Sequence, residues 1–101
     1  YQAGYSNTTG DITALVTSDE RLKTNVSVIT DALNIIDQID GVEFDWNCDW
    51  KSGPDVGVLA QQVEKVFPKV VVNRENGYKA VNYEKLIPLL IQCIKELKAK
   101  L

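Results

Sequence analysis

The chain has 101 residues, enough for one domain with a modest core and too few for two. Its hydrophobic share of 45% and charged share of 25% are ordinary for a globular protein, while a net charge of −3 argues against nucleic acid as the main partner, because phosphate binding needs concentrated positive charge. Histidine is absent, which removes the Ser-His-Asp triad, the Cys-His dyad and the usual zinc sites together.

The eleven Lys and Arg residues are scattered and form no basic stripe. No apolar run approaches the ~20 residues needed to span a bilayer, so no membrane partner is expected. The chain opens on Tyr1 rather than Met and without a signal-peptide pattern, as expected of a piece of something longer. Cys48 and Cys93 are distant in sequence and match no metal spacing; they read as two packed thiols in a reducing compartment. No metal and no cofactor are expected.

Residues 1–17 contain no Lys or Arg and are rich in Gly, Ser, Thr and Asn. They read as the tail end of a preceding β-rich region, with a turn signal at Gly10-Asp11 and a short strand over Thr13–Thr17. Residues 18–27 are polar and lack helical periodicity. Ala32, Leu33, Ile35, Ile36 and Ile39 recur at helical spacing, and predict a helix over about 31–39 with Thr30 as its cap, Asp31 in its first turn and Gly41 as its stop. Val42 to Trp46 alternates apolar and polar as a one-faced strand does. A loop over 47–55 follows, then a short buried strand over Gly57–Ala60. Val63, Val66 and Phe67 share a helical face over 61–67, which Pro68 ends. Val70–Val72 and Tyr78–Val81 flank Asn76-Gly77, a hairpin signal.

Residues 82–101 predict a long helix capped by Asn82, with Pro88 imposing a kink or a late start. Ile87, Leu90, Ile94, Leu97 and Leu101 alternate spacings of three and four, which is a heptad seam. Leu86, Leu89 and Cys93 form a second apolar face. One stripe suffices for a helix lying on its own domain. Two stripes point to one face on the domain and one on partner chains.

Ser18-Asp19-Glu20-Arg21-Leu22-Lys23-Thr24-Asn25 resembles the entry motif of the C-terminal intramolecular chaperone auto-processing domain of phage tail fibres, tail spikes and endosialidases. Gly41 to Trp46 looks like that family's first strand. Gly57 to Val63 with Val66-Phe67-Pro68 looks like its strand-helix unit, and Gly77 to Tyr83 leads into Leu86–Ile91 as its hairpin leads into its terminal helix. The resemblance covers 18–101 in several ordered pieces. It implies an α+β domain of short strands, a β-hairpin and a long C-terminal helix, assembling as a homotrimer with the upstream fibre or spike chains. The implied division is 1–17 as the end of the upstream region and 18–101 as the chaperone domain. The implied function is to register and fold three chains and then to self-cleave. The product is a virion tail protein, made as a precursor in the host bacterial cytoplasm.

The same resemblance makes Ser18 the nucleophile, Lys23 its base and Thr17–Ser18 the bond broken. A free lysine, with a pKa of about 10.4, is almost fully charged at neutral pH, so the chemistry needs burial or a neighbouring cation to free the amine. Arg21 is a candidate cation; Asp19 and Glu20 act the other way. Spacing is demanding. Five residues apart in a helix puts side chains about 140° apart, and five extended residues span roughly 17 Å. Neither brings Lys23 within the ~3 Å that proton transfer requires. Either the segment turns sharply or the lysine comes from a neighbouring chain. Backbone N–H groups are the default oxyanion donors. Without the resemblance, Ser18 reads as a capping serine and Lys23 as a solvated charge.

Three other readings compete. A trimerisation cap that stays attached needs only the heptad seam and the small core. A calcium loop at Asp45, Asn47 and Asp49 has Trp50 where Gly is wanted and Val56 where Glu is wanted. A carboxylate-pair glycosidase needs a large cleft, which a domain of this size does not readily supply.

Overall fold

A computed structural model describes residues 2–6 and 12–101, with side chains described from Leu15 onward. The architecture is α+β, as the sequence implies. Each of the three described sheets is a two-stranded antiparallel pair. No helix among the described residues is long and apolar enough to cross a membrane.

Strand β1 (Gln2–Ser6) pairs with β2 (Ile12–Leu15), Tyr5 opposite Thr13, with an irregularity between Gln2 and Tyr5. The expected strand at Thr13–Thr17 is therefore β2, set slightly earlier in the chain. The Gly10-Asp11 turn signal lies outside the described residues. From Val16 to Asp31 the chain makes no strand and no α-helix; its one regular feature is a 3-10 turn at Glu20–Leu22.

Helix α1 is Ala32–Ile36, shorter than its periodicity predicts. Thr30 does not cap it. The N-cap residue is Asp31, in the left-handed region at φ 57°, and its side chain caps nothing. The first-turn amides are satisfied from the far end of the chain instead. Glu96 Oε2 accepts from Ala32 N at 2.8 Å and Oε1 from Leu33 N at 3.0 Å. The helix stops at Ile36, before Gly41, because Gln38 N and Ile39 N bond to the carbonyls three residues back and tighten the end into turns.

Strand β3 (Val42–Asp45) alternates half-buried and exposed residues, as expected. Its partner β4 is Pro54–Gly57, not the Gly57–Ala60 stretch that hydropathy picks out. The pairing sets Val42 opposite Gly57 and Asp45 opposite Pro54. Pro54, which has no N–H, is tolerated at the first residue of a strand whose sheet has only two. Side chains close the hairpin end. Trp46 Nε1 donates to Asp55 Oδ2 at 2.9 Å, Phe44 packs edge-on against Trp46, and Lys51 Nζ lies 4.3 Å above the Trp46 ring.

Helix α2 (Ala60–Val66) buries Val63, and Pro68 opens a 3-10 turn at Pro68–Val70 that buries Val70. Strands β5 (Val71–Asn73) and β6 (Lys79–Val81) form the expected hairpin. Its loop is not a two-residue turn on Asn76-Gly77. Gly77 N donates to Arg74 O, Arg74 N to Tyr78 O, and only Gly77 has positive φ (86°), the geometry of a type I turn closed by a left-handed glycine.

A 3-10 turn at Tyr83–Leu86 leads into α3 (Ile87–Ala99), where Pro88 occupies the first turn. The proline thus sets a late start rather than a kink, since its missing N–H falls where no intrahelical partner exists. Tyr83 also ties back to β4: its Oη accepts from Val58 N at 3.1 Å, and a Cβ on Gly57 would lie 2.5 Å from that oxygen.

The core is small. Its buried members are Ala32, Val63, Val70, Leu86, Leu89 and Cys93, drawn from α1, α2, α3 and the two turns before β5 and α3. Ile29, Leu33, Ile36, Val58, Phe67 and Val81 pack at its edge. Leu89 is 0% exposed, so Leu89→Ala is expected to cost about 2–5 kcal/mol, read as a lowered midpoint in urea unfolding. Glu96 supplies a pH signature. Its hydrogen bonds from Leu33 N and Ala32 N hold its carboxyl below the usual value. A depressed folded value means stability that is present above the unfolded pKa of about 4.3 and lost as pH falls through the lower folded value. Acid titration of Glu96→Gln should therefore show a flatter fall in melting temperature below that pH than wild type.

Candidate active site

Ser18 follows β2 on an exposed stretch. The backbone then turns sharply at Glu20–Leu22: Leu22 N donates to Asp19 O and Lys23 N to Glu20 O, each at 3.1 Å. Asp19 is the N-cap, its Oδ1 accepting from Arg21 N at 2.9 Å. Lys23 leaves the turn in extended conformation, at φ −116° and ψ 145°. Lys23 Nζ consequently comes back to Ser18 and donates to its Oγ at 2.8 Å. The spacing left two routes to this contact, a sharp turn or a second chain; in the structure the turn makes it within one chain.

Both residues are exposed, as is Thr17, whose carbonyl precedes Ser18. The pair has the geometry for proton transfer from serine hydroxyl to lysine amine. The amides of Arg21, Leu22 and Lys23 are already engaged inside the turn, which removes them as oxyanion donors. Asp19 is bound by the Arg21 guanidinium, with Nη2 to Oδ2 at 2.7 Å and Nε to Oδ1 at 3.1 Å. That side-chain pairing first, then the Arg21 amide, holds the Asp19 carboxyl below the usual range, and Lys23 adds a smaller electrostatic pull. By sequence Asp19 is only an opposing charge to Lys23. Its capping role was signalled by the Asp-x-Arg spacing ahead of a turn.

The terminal helix carries its two stripes on opposite fates. Leu86, Leu89 and Cys93 are buried, whereas Ile87, Leu90, Ile94, Leu97 and Leu101 are all exposed, Ile94 at 67%. Cys93 belongs to the core: its Sγ donates to Ala32 O at 3.3 Å, and burial, then Glu96, push its thiol pKa up. Cys48 sits half-buried in the β3–β4 loop, and neither cysteine is bonded to another. At the same hairpin, Asp55 is held below the usual range by the Trp46 indole N–H and then by Val56 N, which ill suits a carboxyl meant to donate a proton in glycoside hydrolysis.

Residues 18–72 match the peptidase family S74, described as the chaperone of endosialidase. The chain belongs to this family, a family of the self-cleaving serine peptidase kind. Among curated proteins it is similar to long tail fibre protein Gp37 of Enterobacteria phage K3 and of Enterobacteria phage T2, in each case 30% identical over 93 residues. The match takes in 84% of this chain but 7% of each relative, so the chain spans a small part of their length. The family match starts on Ser18, the residue that meets Lys23.

The contrast between the cysteines is measurable. A disulfide reagent on the folded chain should modify Cys48 and leave Cys93 untouched until denaturant is added, because the Cys93 thiol is both buried and raised in pKa. Equal labelling of both thiols in the folded protein would contradict this packing.

Proposed function

We propose that residues 18–101 form an intramolecular chaperone domain of a phage tail fibre or spike. It promotes trimerisation and folding of the chain ahead of it, of which residues 1–17 are the end, and then releases itself by cutting between Thr17 and Ser18. The observation that carries the reading is the 2.8 Å contact between Lys23 Nζ and Ser18 Oγ at the first residue of the family match. The precursor is made in the host bacterial cytoplasm, and the fibre part is a virion component.

The steps balance without a cofactor. The Lys23 amine, once neutral, takes the proton from Ser18 Oγ, and the oxygen attacks the Thr17 carbonyl carbon through a five-membered ring. The Thr17–Ser18 C–N bond breaks as the Ser18 nitrogen takes a proton from Lys23, leaving Thr17 esterified on Ser18 Oγ. Water then opens the ester, giving a carboxylate on Thr17 and a free hydroxyl on the new N-terminal Ser18. Burial or a neighbouring cation frees a lysine amine, and the exposure of both residues in the single chain makes assembly the natural source of burial. Cutting after folding removes the route back for an intertwined trimer, whose persistence is then set by its unfolding barrier.

The exposed seam of Ile87, Leu90, Ile94, Leu97 and Leu101 is the trimer contact in this reading. A chain with six buried core residues among those described gains most from sharing that seam. The same seam also serves the second reading, a trimerisation cap that stays attached.

Intact mass of freshly expressed chain separates the two. Wild type is expected to yield a fragment starting at Ser18, while Ser18→Ala and Lys23→Ala stay whole. Whole wild type in a stable trimer would leave the attached cap standing. Because Lys23 meets Ser18 of its own chain, mixed trimers of Ser18→Ala and Lys23→Ala chains should not cut; cutting in the mixture would assign the lysine to a neighbour. Sedimentation should show Ile94→Glu shifting trimer to monomer with its helical signal retained, since Ile94 makes no part of the chain's own core.

A further inference from the structure

The turn that returns Lys23 to Ser18 has no support from the core. None of Glu20, Arg21 and Leu22 is buried, and every residue from Leu15 to Val28 is exposed. A three-residue 3-10 turn has poor hydrogen-bond geometry, and the first turn of any helix is costly to nucleate. Local interactions must therefore hold it, and those present converge on one carboxylate. Asp19 Oδ1 accepts from Arg21 N at 2.9 Å and from Arg21 Nε at 3.1 Å. Asp19 Oδ2 accepts from Nε at 3.2 Å and from Nη2 at 2.7 Å.

Stability alone does not account for this pair. The Arg21 and Asp19 side chains are 85% and 39% exposed, and exposed ion pairs add little to folding. Its consequence is geometric. The cap fixes the first turn, the two-point guanidinium contact fixes the cap's rotamer, and the fixed turn sets where Lys23 emerges.

We propose that Asp19 is a positioning residue for the Ser18–Lys23 pair: it caps the turn that carries Lys23 onto Ser18 Oγ, and Arg21 locks the cap. The proposal rests on the cleavage reading above. It goes beyond it in assigning roles to two residues that take no part in bond making.

The test follows fragment formation over time by intact mass in the full chain, for wild type, Asp19→Ala, Asp19→Asn and Asp19→Ser. Asp19→Ala should cut about ten- to a hundredfold more slowly, the scale of loss expected when a reacting group is misplaced. Asp19→Asn keeps an acceptor for Arg21 N and for the guanidinium and should recover most of the rate, whereas Asp19→Ser keeps the cap without the Arg21 side-chain contact and should recover only part of it. All four should melt together by circular dichroism, because the turn lies outside the core. Wild-type speed in Asp19→Ala would overturn the proposal, and so would an Asp19→Asn as slow as Asp19→Ala, since charge and not capping would then be what matters. Should wild type itself remain whole, the cleavage reading fails, and the positioning claim is decided on the uncut protein by the nuclear Overhauser contact between Ser18 Hβ and Lys23 Hε. Its loss in Asp19→Ala and retention in Asp19→Asn supports the proposal; its persistence in Asp19→Ala defeats it.

Discussion

Glu96 holds the first turn of α1 through the amides of Ala32 and Leu33, and one turn earlier on the same helix Cys93 reaches the Ala32 carbonyl. With Leu89 and Ala32 fully buried beside them, these contacts join residues more than sixty positions apart. The pairing orients α3 on the domain. Because the inner stripe of α3 is committed to α1, the α2 region and the turns, the outer stripe is left facing away. The exposed heptad seam is thus a result of the packing as much as of the sequence pattern.

A second constraint runs through the middle of the chain. Tyr83 Oη accepts from Val58 N just beyond β4, and Asn82 N donates to Val70 O at the start of β5. Both residues sit at the entrance to α3, so both hairpins are tied to one short segment. The close approach of Tyr83 to Gly57 needs a residue without a Cβ. These ties explain how the six buried residues among those described can organise the β3–β4 and β5–β6 pairs and three helices. They do so by fixing junctions rather than by covering faces.

The Ser18–Lys23 pair stands apart from this framework. It belongs to a stretch with no buried residue, shaped by its own cap, and its hydrogen bond is local to six residues. A pair of this kind is shaped by the local backbone and stands open to water in the single chain. Leu15, Val16, Leu22, Val26 and Val28 on the same stretch are exposed apolar residues.

Much was legible in the sequence. The alternation of Val42 to Asp45, the helix stopped by Pro68, the hairpin around Gly77 and the two stripes of the terminal helix all rest on local periodicity and turn chemistry, which the chain carries residue by residue. The motif from Ser18 to Lys23 named the candidate pair. What stayed hidden was whatever depends on partners distant in sequence. Pro54–Gly57 pairs with β3 although Gly57–Ala60 is the more apolar stretch, because register is set by the partner strand and not by hydropathy. Thr30 lost the cap of α1 to Glu96, since only the packed structure brings that carboxylate to those amides. Five-residue spacing could not say whether Lys23 meets its own Ser18, because the answer lies in backbone dihedrals at Asp19 through Lys23 that residue identities suggest but do not fix. The sequence by itself determined the chemistry available and the pattern of faces, and the local turn directs Lys23; tertiary structure alone decided which face is spent on the core, because that is set by contacts that exist only once the chain has closed on itself.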